Sequence, residues 1–457
     1  MQLLDHIRSI VGPDGLLTGI SVRERAIGWA DPRPTEALAI VRPASTGEVS
    51  RLLAACCDAG QPVVPMGGLT GLVQGSVAGA GEIGLSLERM HRIESVDALG
   101  RTMQVEAGVS LQAVHEAAEQ AGLMFPLDLG ARGSATVGGN ASTNAGGNRV
   151  IRYGMMREMV LGLEAVLADG TVIPALNRMI KNNAGYDLKQ LFIGTEGTLG
   201  VITRLVLRLR PLPLSHQTVL LACERFDQVT GLLGRLDALL GGTMSSFEVM
   251  WRNFFELVTT PPAQGRDSIG GAYPYYVIVE SQGADPAGDQ TRFEESLATA
   301  GEEGRFVDAA IANSQSQRDA IWALRDDVGQ MFRLGHPFVF DVSLPVAEME
   351  DYVAEVHAAF AARLPLQRCF TFGHLGDGNL HFVVVGPAGP EARSMVEEIV
   401  YRPLAARRGS VSAEHGIGIE KHAWLPLSRS VEEIALMRRL KHALDPRGIL
   451  NPGRVVG

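Results

Sequence analysis

The chain has 457 residues, 46% of them apolar and 20% charged, with a formal net charge of -10. It is too long for one ordinary core and, at about 100–200 residues per domain, calls for two to four units. An acidic balance with no basic run excludes nucleic acid and anionic membrane surfaces as partners, because both need concentrated Lys and Arg.

Residues 37–43 read as a short apolar strand ending at Pro43, after which Ser45 and Glu48 form a capping box. The helix so started carries Val49, Leu52, Leu53 and Cys56 on one side and closes at Gly60. The strand Pro62-Val-Val-Pro65 runs into Met66-Gly-Gly-Leu-Thr-Gly-Leu72, so glycines sit at a strand end, a position where backbone N–H groups cradle phosphate. Strands near 83–87 and 102–107 precede a helix from Leu111 to Ala121, stopped by Gly122. A tract of small residues then runs from Pro126 to Gly147, too poor in large apolar side chains for its own core and too poor in charge and proline for a linker. A hairpin over 161–173 turns at Asp169-Gly170, and Val201–Leu209 alternates, with Leu205, Leu207 and Leu209 opposing Arg204 and Arg208. Pro211-Leu-Pro213 punctuates the chain and marks a domain boundary. Beyond it strands are expected at 218–223, 275–280, 306–311, 338–343, 368–373 and 379–385, and helices at 226–240, 289–299, 315–333, 346–363 and 391–408. That order predicts an α+β or α/β second domain.

Glycine is in excess, with 53 residues, and no glycine run meets the strand, helix and acidic-residue context of a Rossmann fingerprint; a Walker A loop is also absent. Two small-residue tracts about 60 positions apart suit a large cofactor bound through backbone N–H groups, and FAD has that size and shape. Near the C-terminus, Gly373-His-Leu-Gly-Asp-Gly-Asn-Leu-His381 and Ser412-Ala-Glu-His-Gly416 offer three histidines and a carboxylate. Gly376 and Gly378 argue against a helix there, and the Asp377-Gly378 turn feeds an apolar strand, which can fold His374 back beside His381. Glu414 would add a hard oxygen ligand. The same residues also fit a Gly-rich turn with solvent-facing polar side chains, so residue type alone leaves both readings standing. Cys56, Cys57, Cys223 and Cys369 form no CxxC pair, and the expectation is reduced core thiols without an iron–sulfur cluster. The opening residues lack a charged segment followed by an apolar one, and no stretch of about 18 apolar residues occurs, from which a cytoplasmic protein without a membrane span is expected.

Taken together, the motifs resemble the vanillyl-alcohol-oxidase type of FAD-binding oxidoreductases, in the branch containing D-lactate, D-2-hydroxyglutarate and glycolate dehydrogenases. The resemblance covers nearly the whole length. It rests on Val41-Arg-Pro-Ala-Ser-Thr-x-Glu-Val49, Pro65-Met-Gly-Gly-Leu-Thr-Gly71, Gly138-Gly-Asn-Ala-Ser-Thr-Asn-Ala-Gly-Gly147, Ile193-Gly-Thr-Glu-Gly-Thr-Leu-Gly-Val-Ile202, the two histidine segments and Leu450-Asn-Pro-Gly453. It implies an α+β architecture: a two-subdomain FAD-binding domain of the p-cresol methylhydroxylase (PCMH) type over 1–213, an α+β substrate or cap domain with an antiparallel sheet, flanking helices and a metal site over 214–444, and a segment over 445–457 returning to the FAD domain.

The resemblance also implies site residues. Pro65, Gly67, Gly68, Leu69, Thr70 and Gly71, continued by Gly75 and Ser76, would cradle the pyrophosphate, and Pro126, Gly133, Ser134, Thr136, Gly138, Asn140, Ser142, Thr143 and Val201 would line adenine and flavin. Glu414 and Asn451 reach the cofactor from the C-terminal side. Members with covalent flavin often carry a histidine in the first loop, where this chain has Leu69 and Thr70, so noncovalent FAD is expected. His374, His381 and Glu414 become ligands of a divalent metal, Zn or Mn. His415 becomes the general base and Arg325 the partner of the substrate carboxylate, a task suited to guanidinium. Asp377 and Asn379 are read as shaping the turn. Where the hydroxyglutarate-specific members carry threonine, lysine and asparagine, this chain has Gly329, Val339 and Val383. The reading is therefore an FAD- and metal-dependent dehydrogenase of a D-2-hydroxy acid with a small or apolar side chain, such as D-lactate, oxidised to the 2-oxo acid by hydride transfer to flavin N5. Electrons would pass to an electron-transfer flavoprotein, quinone or cytochrome, and a homodimer is possible in this branch. Alternatives are a D-2-hydroxyglutarate dehydrogenase, the FAD subunit of a glycolate-oxidising complex, and a flavin-free metal-binding protein.

Overall fold

The computed structural model describes residues 2–29, 31–387 and 389–456. The chain divides into two compact units, one of Met1–Gly146, Gly154–Leu212 and Glu414–Gly457, the other of Gly147–Tyr153 and Pro213–Ala413. Residues 414–444, grouped by the sequence with the second domain, thus cluster with the first.

In the first unit, β1 (Leu16–Leu17), β2 (Ala39–Val41), β3 (Val63–Met66) and β4 (Ile83–Ser86) form a sheet in the order β1-β2-β4-β3. The last three strands are parallel, and β1 is antiparallel to β2. The helix Thr46–Ala59 connects β2 to β3; Ser45 Oγ accepts from the Glu48 N–H, and Gly60 ends the helix at φ 65°. A second sheet, antiparallel, joins β5 (Ile93–Asp97), β6 (Thr102–Glu106), β8 (Val160–Val166), β9 (Val172–Ala175) and β10 (Val201–Arg208) in the order β5-β6-β10-β8-β9; the short β7 (Leu123–Met124) pairs with β11 (Arg210–Pro211). The expected alternation in β10 is not observed, since Leu205, Val206 and Leu207 are all buried. The strand lies mid-sheet with both faces covered, and such strands read as apolar runs.

The second unit is built on one seven-stranded sheet. Its strands are β12 (Ser215–Cys223), β13 (Met244–Trp251), β14 (Tyr275–Gly283), β15 (Asp308–Ile311), β16 (Pro337–Ser343), β17 (Arg368–His374) and β18 (Asn379–Val385), in the order β15-β12-β14-β13-β17-β18-β16. Every pairing is antiparallel, which resolves the α+β or α/β alternative to α+β. Helices Phe226–Leu240 and Pro286–Glu302 flank this sheet. The helix expected over 315–333 instead ends at Asp326 and continues as a tighter 3-10 segment from Val328 to Leu334. Among the described residues no helix is long and apolar enough to cross a membrane.

Candidate active site

The turn between β17 and β18 has little room. A Cβ on Gly373 would sit 2.4 Å from the Asn379 carbonyl oxygen, and Gly378 adopts φ 85°, so glycine is required at both places for the strand to reverse this sharply. The reversal carries His374 to the end of β17 and His381 into β18. Their rings meet edge to face, 5.2 Å between centroids and 82° between planes, and the nearest ring nitrogens lie within 4.8 Å. Both side chains are buried.

Register determines the company they keep. Glu248 of β13 is directly opposite His374, and Phe372 is opposite His381. Strand side chains alternate faces with period 2, so Glu248, Phe372, His374, Asn379, His381 and Val383 share one face. From β16, Asp341 and Val339 join that face opposite His381 and Val383. Arg325, in the last turn of the helix Gln315–Asp326, is 5% exposed and lays its guanidinium 4.6 Å from the centre of the Phe372 ring.

Three of these groups form a closed polar chain. His374 Nδ1 lies 2.7 Å from Glu248 Oε1, Arg325 Nε donates to Glu248 Oε2 at 2.9 Å, and Arg325 Nη2 is 3.4 Å from His374 Nε2. Burial pushes the Glu248 carboxyl up, but the His374 and Arg325 side chains outweigh burial and hold it below the ordinary glutamate range. The Asp341 carboxylate accepts from Ser412 Oγ at 3.3 Å and from the Ala413 N–H at 3.0 Å, which fixes the residue preceding Glu414. Asn379 is 3% exposed, yet neither its amide oxygen nor its amide nitrogen has a partner among the described residues. A side chain that only shaped the turn would bond to it, so the reading of Asn379 as a turn residue does not account for this amide. Two buried imidazoles with converging nitrogens, one anchored through Nδ1 by a carboxylate, form a donor set that fits Zn or Mn.

One edge of the same face is apolar. Val339 and Val383 pair directly across β16 and β18, and pack with Met331, Phe370, Phe372 and Leu324. Gly329 lies in the 3-10 segment nearby in sequence and brings no side chain.

In the first unit the two small-residue tracts pack backbone to backbone. A Cβ on Gly68 would fall 1.8 Å from the Ser134 carbonyl oxygen, one on Gly67 2.7 Å from Thr136 Oγ1, and one on Gly138 2.5 Å from the Ala107 Cβ. Those glycines are thus explained by close approach, while Cβ atoms on Gly71 and Gly133 would meet open space. In the first loop Leu69 takes φ 54° and Gln74 φ 57°, and Trp29 donates to the carbonyls of Leu69 and Thr70. Among the described residues no acceptor within the chain is bonded to the N–H groups of Gly68, Leu69, Thr70 or Gly71, the property of an anion cradle. In the short helix Val137–Thr143, Ser142 and Thr143 donate to the carbonyls of Gly138 and Gly139, which leaves their oxygen lone pairs for a ligand. Asn140 is 5% exposed and its Oδ1 has no partner among the described residues. Pro65 lies within β3, its ring 2.8 Å from where a Cβ on Gly197 would sit, and Val201 is buried at the start of β10. Asn451, at φ 44°, donates through Nδ2 to the carbonyls of Glu196 and Gly75, and its buried Oδ1 has no partner among the described residues. Glu196 accepts from the N–H groups of Ile417 and Gly418, and burial raises its carboxyl pKa despite them. Orphaned acceptors and a loop of unused N–H groups in one unit fit a large polar cofactor such as FAD. Glu414 and His415 begin the segment that joins this unit.

Sequence reasoning brought His374, His381 and Arg325 to the site but missed Glu248. It sits in Met244-Ser-Ser-Phe-Glu-Val-Met-Trp251, where three polar residues hide the strand, although every residue from 244 to 250 is buried.

Comparison with known proteins adds independent observations. Residues 37–175 match the FAD binding domain family, and residues 212–455 match the family of FAD linked oxidases, C-terminal domain. A D-2-hydroxyglutarate dehydrogenase of Xanthomonas citri pv. viticola is 39% identical over 433 residues, 93% of this chain and 91% of that protein. The mitochondrial D-2-hydroxyglutarate dehydrogenase of Bos taurus is 39% identical over 419 residues, 91% and 76% of the two chains. A crystal structure of p-cresol methylhydroxylase with substrate bound superposes with a TM-score of 0.81 at 17% identity, covering 100% of this chain and 96% of the other, a likeness of fold.

Proposed function

The chain belongs to the FAD-linked oxidases, and on that footing we propose that it is an FAD- and divalent-metal-dependent dehydrogenase. In this reading it oxidises a D-2-hydroxy acid with a small or apolar side chain, D-lactate being the type, to the 2-oxo acid. The observation that carries the reading is the split face of the second sheet: Arg325, Glu248, His374 and His381 at one place, Val339 against Val383 at the other.

Arg325 holds the C1 carboxylate of the substrate, and its seat over Phe372 fixes the plane in which a carboxylate is met. His374, His381 and Glu414 would hold the metal, which would acidify the 2-hydroxyl. His415 takes the hydroxyl proton as general base. The loops 65–76 and 126–143 of the first unit would hold FAD noncovalently, and bound FAD would supply an acceptor for hydride from C2. Asn379, with both amide atoms available, hydrogen-bonds the substrate's oxygens. The final acceptor of the electrons is an electron-transfer flavoprotein, quinone or cytochrome.

D-2-hydroxyglutarate is the second reading, favoured by the names of relatives at 39% identity. Against it stands the apolar pair Val339–Val383, because a second carboxylate buried there without a partner costs several kcal/mol. The test is a panel of D- and L-2-hydroxy acids with a dye acceptor, before and after chelation. D-selectivity, preference for D-lactate over D-2-hydroxyglutarate, and chelator-sensitive turnover restored by Zn or Mn are expected. Equal L activity or full turnover after complete metal removal refutes the site, and a colourless protein that takes up no FAD refutes the whole reading.

A further inference from the structure

Glu248 enters the site from a strand on which neither a metal ligand nor a substrate contact has been placed. Its side chain is 1% exposed and joins two functional groups, His374 through Oε1 and Arg325 through Oε2. A carboxylate can only accept, so the contact at 2.7 Å requires a proton on Nδ1, and a neutral ring then carries its lone pair on Nε2. The Arg325 Nη2 group 3.4 Å from Nε2 agrees with that tautomer, because an N–H at Nε2 would set two donors against each other. The contact with Arg325 has a different consequence: its charge is matched by Glu248 before any substrate arrives.

We infer that Glu248 is the positioning residue of this site and acts in opposite senses on its two neighbours. It orients His374 and makes Nε2 more basic, which strengthens the hold on a divalent metal. It also neutralises Arg325 and places a negative charge beside the incoming substrate carboxylate, which weakens anion binding until a metal supplies the missing positive charge. The site is thereby biased to take metal first and hydroxy acid second. This inference rests on the metal-dependent hydroxy-acid reading above.

The test compares wild type, Glu248→Gln and Glu248→Asp as flavin-loaded protein stripped of metal. Zn²⁺ affinity is read by competition with a chromogenic chelator, and affinity of the metal-free protein for D-lactate and D-2-hydroxyglutarate by calorimetry. For Glu248→Gln we expect Zn²⁺ binding weaker by about 10–100-fold, together with hydroxy-acid binding tighter by about tenfold. Glu248→Asp, which keeps the charge, should leave hydroxy-acid binding near the wild-type value. A residue that only holds the fold would weaken both ligands together, and that result, or unchanged Zn²⁺ affinity, overturns the inference. Should Glu248→Gln not fold, ¹⁵N-histidine spectra of metal-free wild type, assigned with His374→Gln, must show His374 with its proton on Nδ1 alone; any other tautomer or a doubly protonated ring overturns it. Wild type that binds no Zn²⁺ removes the functional reading and this inference with it, whereas wild type that binds Zn²⁺ with a matching Glu248→Gln variant removes the inference alone.

Discussion

The proposed preference for a substrate without a second carboxylate predicts its own reversal on the face from which it is argued. Val383 is 3% exposed and lies directly opposite Val339, so the two Cβ atoms are about 4.5–5.5 Å apart and reach the same spot. The double change Val339→Lys and Val383→Asn puts an ammonium and an amide where both side chains now pack against Phe370, Phe372 and Met331. In the absence of substrate, burying the amide at 383 costs about 1–3 kcal/mol. With D-2-hydroxyglutarate bound, a hydrogen bond to the charged carboxylate contributes about 1.5–3 kcal/mol, or roughly 10–150-fold. D-lactate brings no such group and recovers nothing. The ratio of kcat/KM for D-2-hydroxyglutarate over D-lactate, measured with one dye acceptor at saturating FAD and Zn²⁺, should therefore rise by at least about tenfold, mostly through KM for D-2-hydroxyglutarate. A folded, flavin-loaded double variant whose ratio does not move refutes the reasoning, as does a wild type that already prefers D-2-hydroxyglutarate.

Other consequences follow from the packing. Asn379→Leu removes a buried amide that makes no bond among the described residues, so thermal stability should hold or rise while kcat/KM falls by about tenfold or more; an unchanged kcat/KM leaves Asn379 outside the site. Gly68→Ala forces a methyl against the Ser134 carbonyl, an overpacking cost of about 1–3 kcal/mol, and should lower the flavin-to-protein absorbance ratio; a fully yellow variant of unchanged stability contradicts the loop packing. His357, in contact with Thr371 Oγ1 at 2.8 Å, has its pKa lowered by burial. Its folded pKa lies below the unfolded value near 6.5, so its contribution to stability is full above about pH 6.5 and is lost as the pH falls through the folded pKa. His357→Gln should flatten the acid side of the stability profile in that window, and an unaltered profile would show that His357 does not titrate between the two states.

What the sequence made legible, and what it concealed, divides along chemical lines. Glycines that need positive φ or close approach announce themselves: Gly60 and Gly122 at helix ends, Gly170 in the hairpin and Gly378 in the histidine turn all sit where turn chemistry places them. Apolar periodicity located the helix Phe226–Leu240 and the strand Asn379–Val385 at their observed bounds. It misread β10, since a strand covered on both faces has no alternation to display. The central strand β13 failed for the converse reason. Ser245, Ser246 and Glu248 are polar and fully buried, and each is bonded: Ser245 to Glu280, Ser246 to the Asn148 carbonyl, Glu248 to His374 and Arg325. A pattern that equates polar with exposed cannot see a strand whose polar groups are satisfied by distant parts of the chain, because each partner is 35 or more residues away. The ligand-type histidines were visible because imidazole at close spacing is uncommon, whereas Glu248 was one acid among 51 acidic residues. Only the pairing of β13 with β17 singles it out. A buried carboxylate survives in the centre of a sheet when the cation and the donor that satisfy it are fixed there, and for Glu248 these are Arg325 and His374, the two residues that the proposed hydroxy-acid site most needs held still.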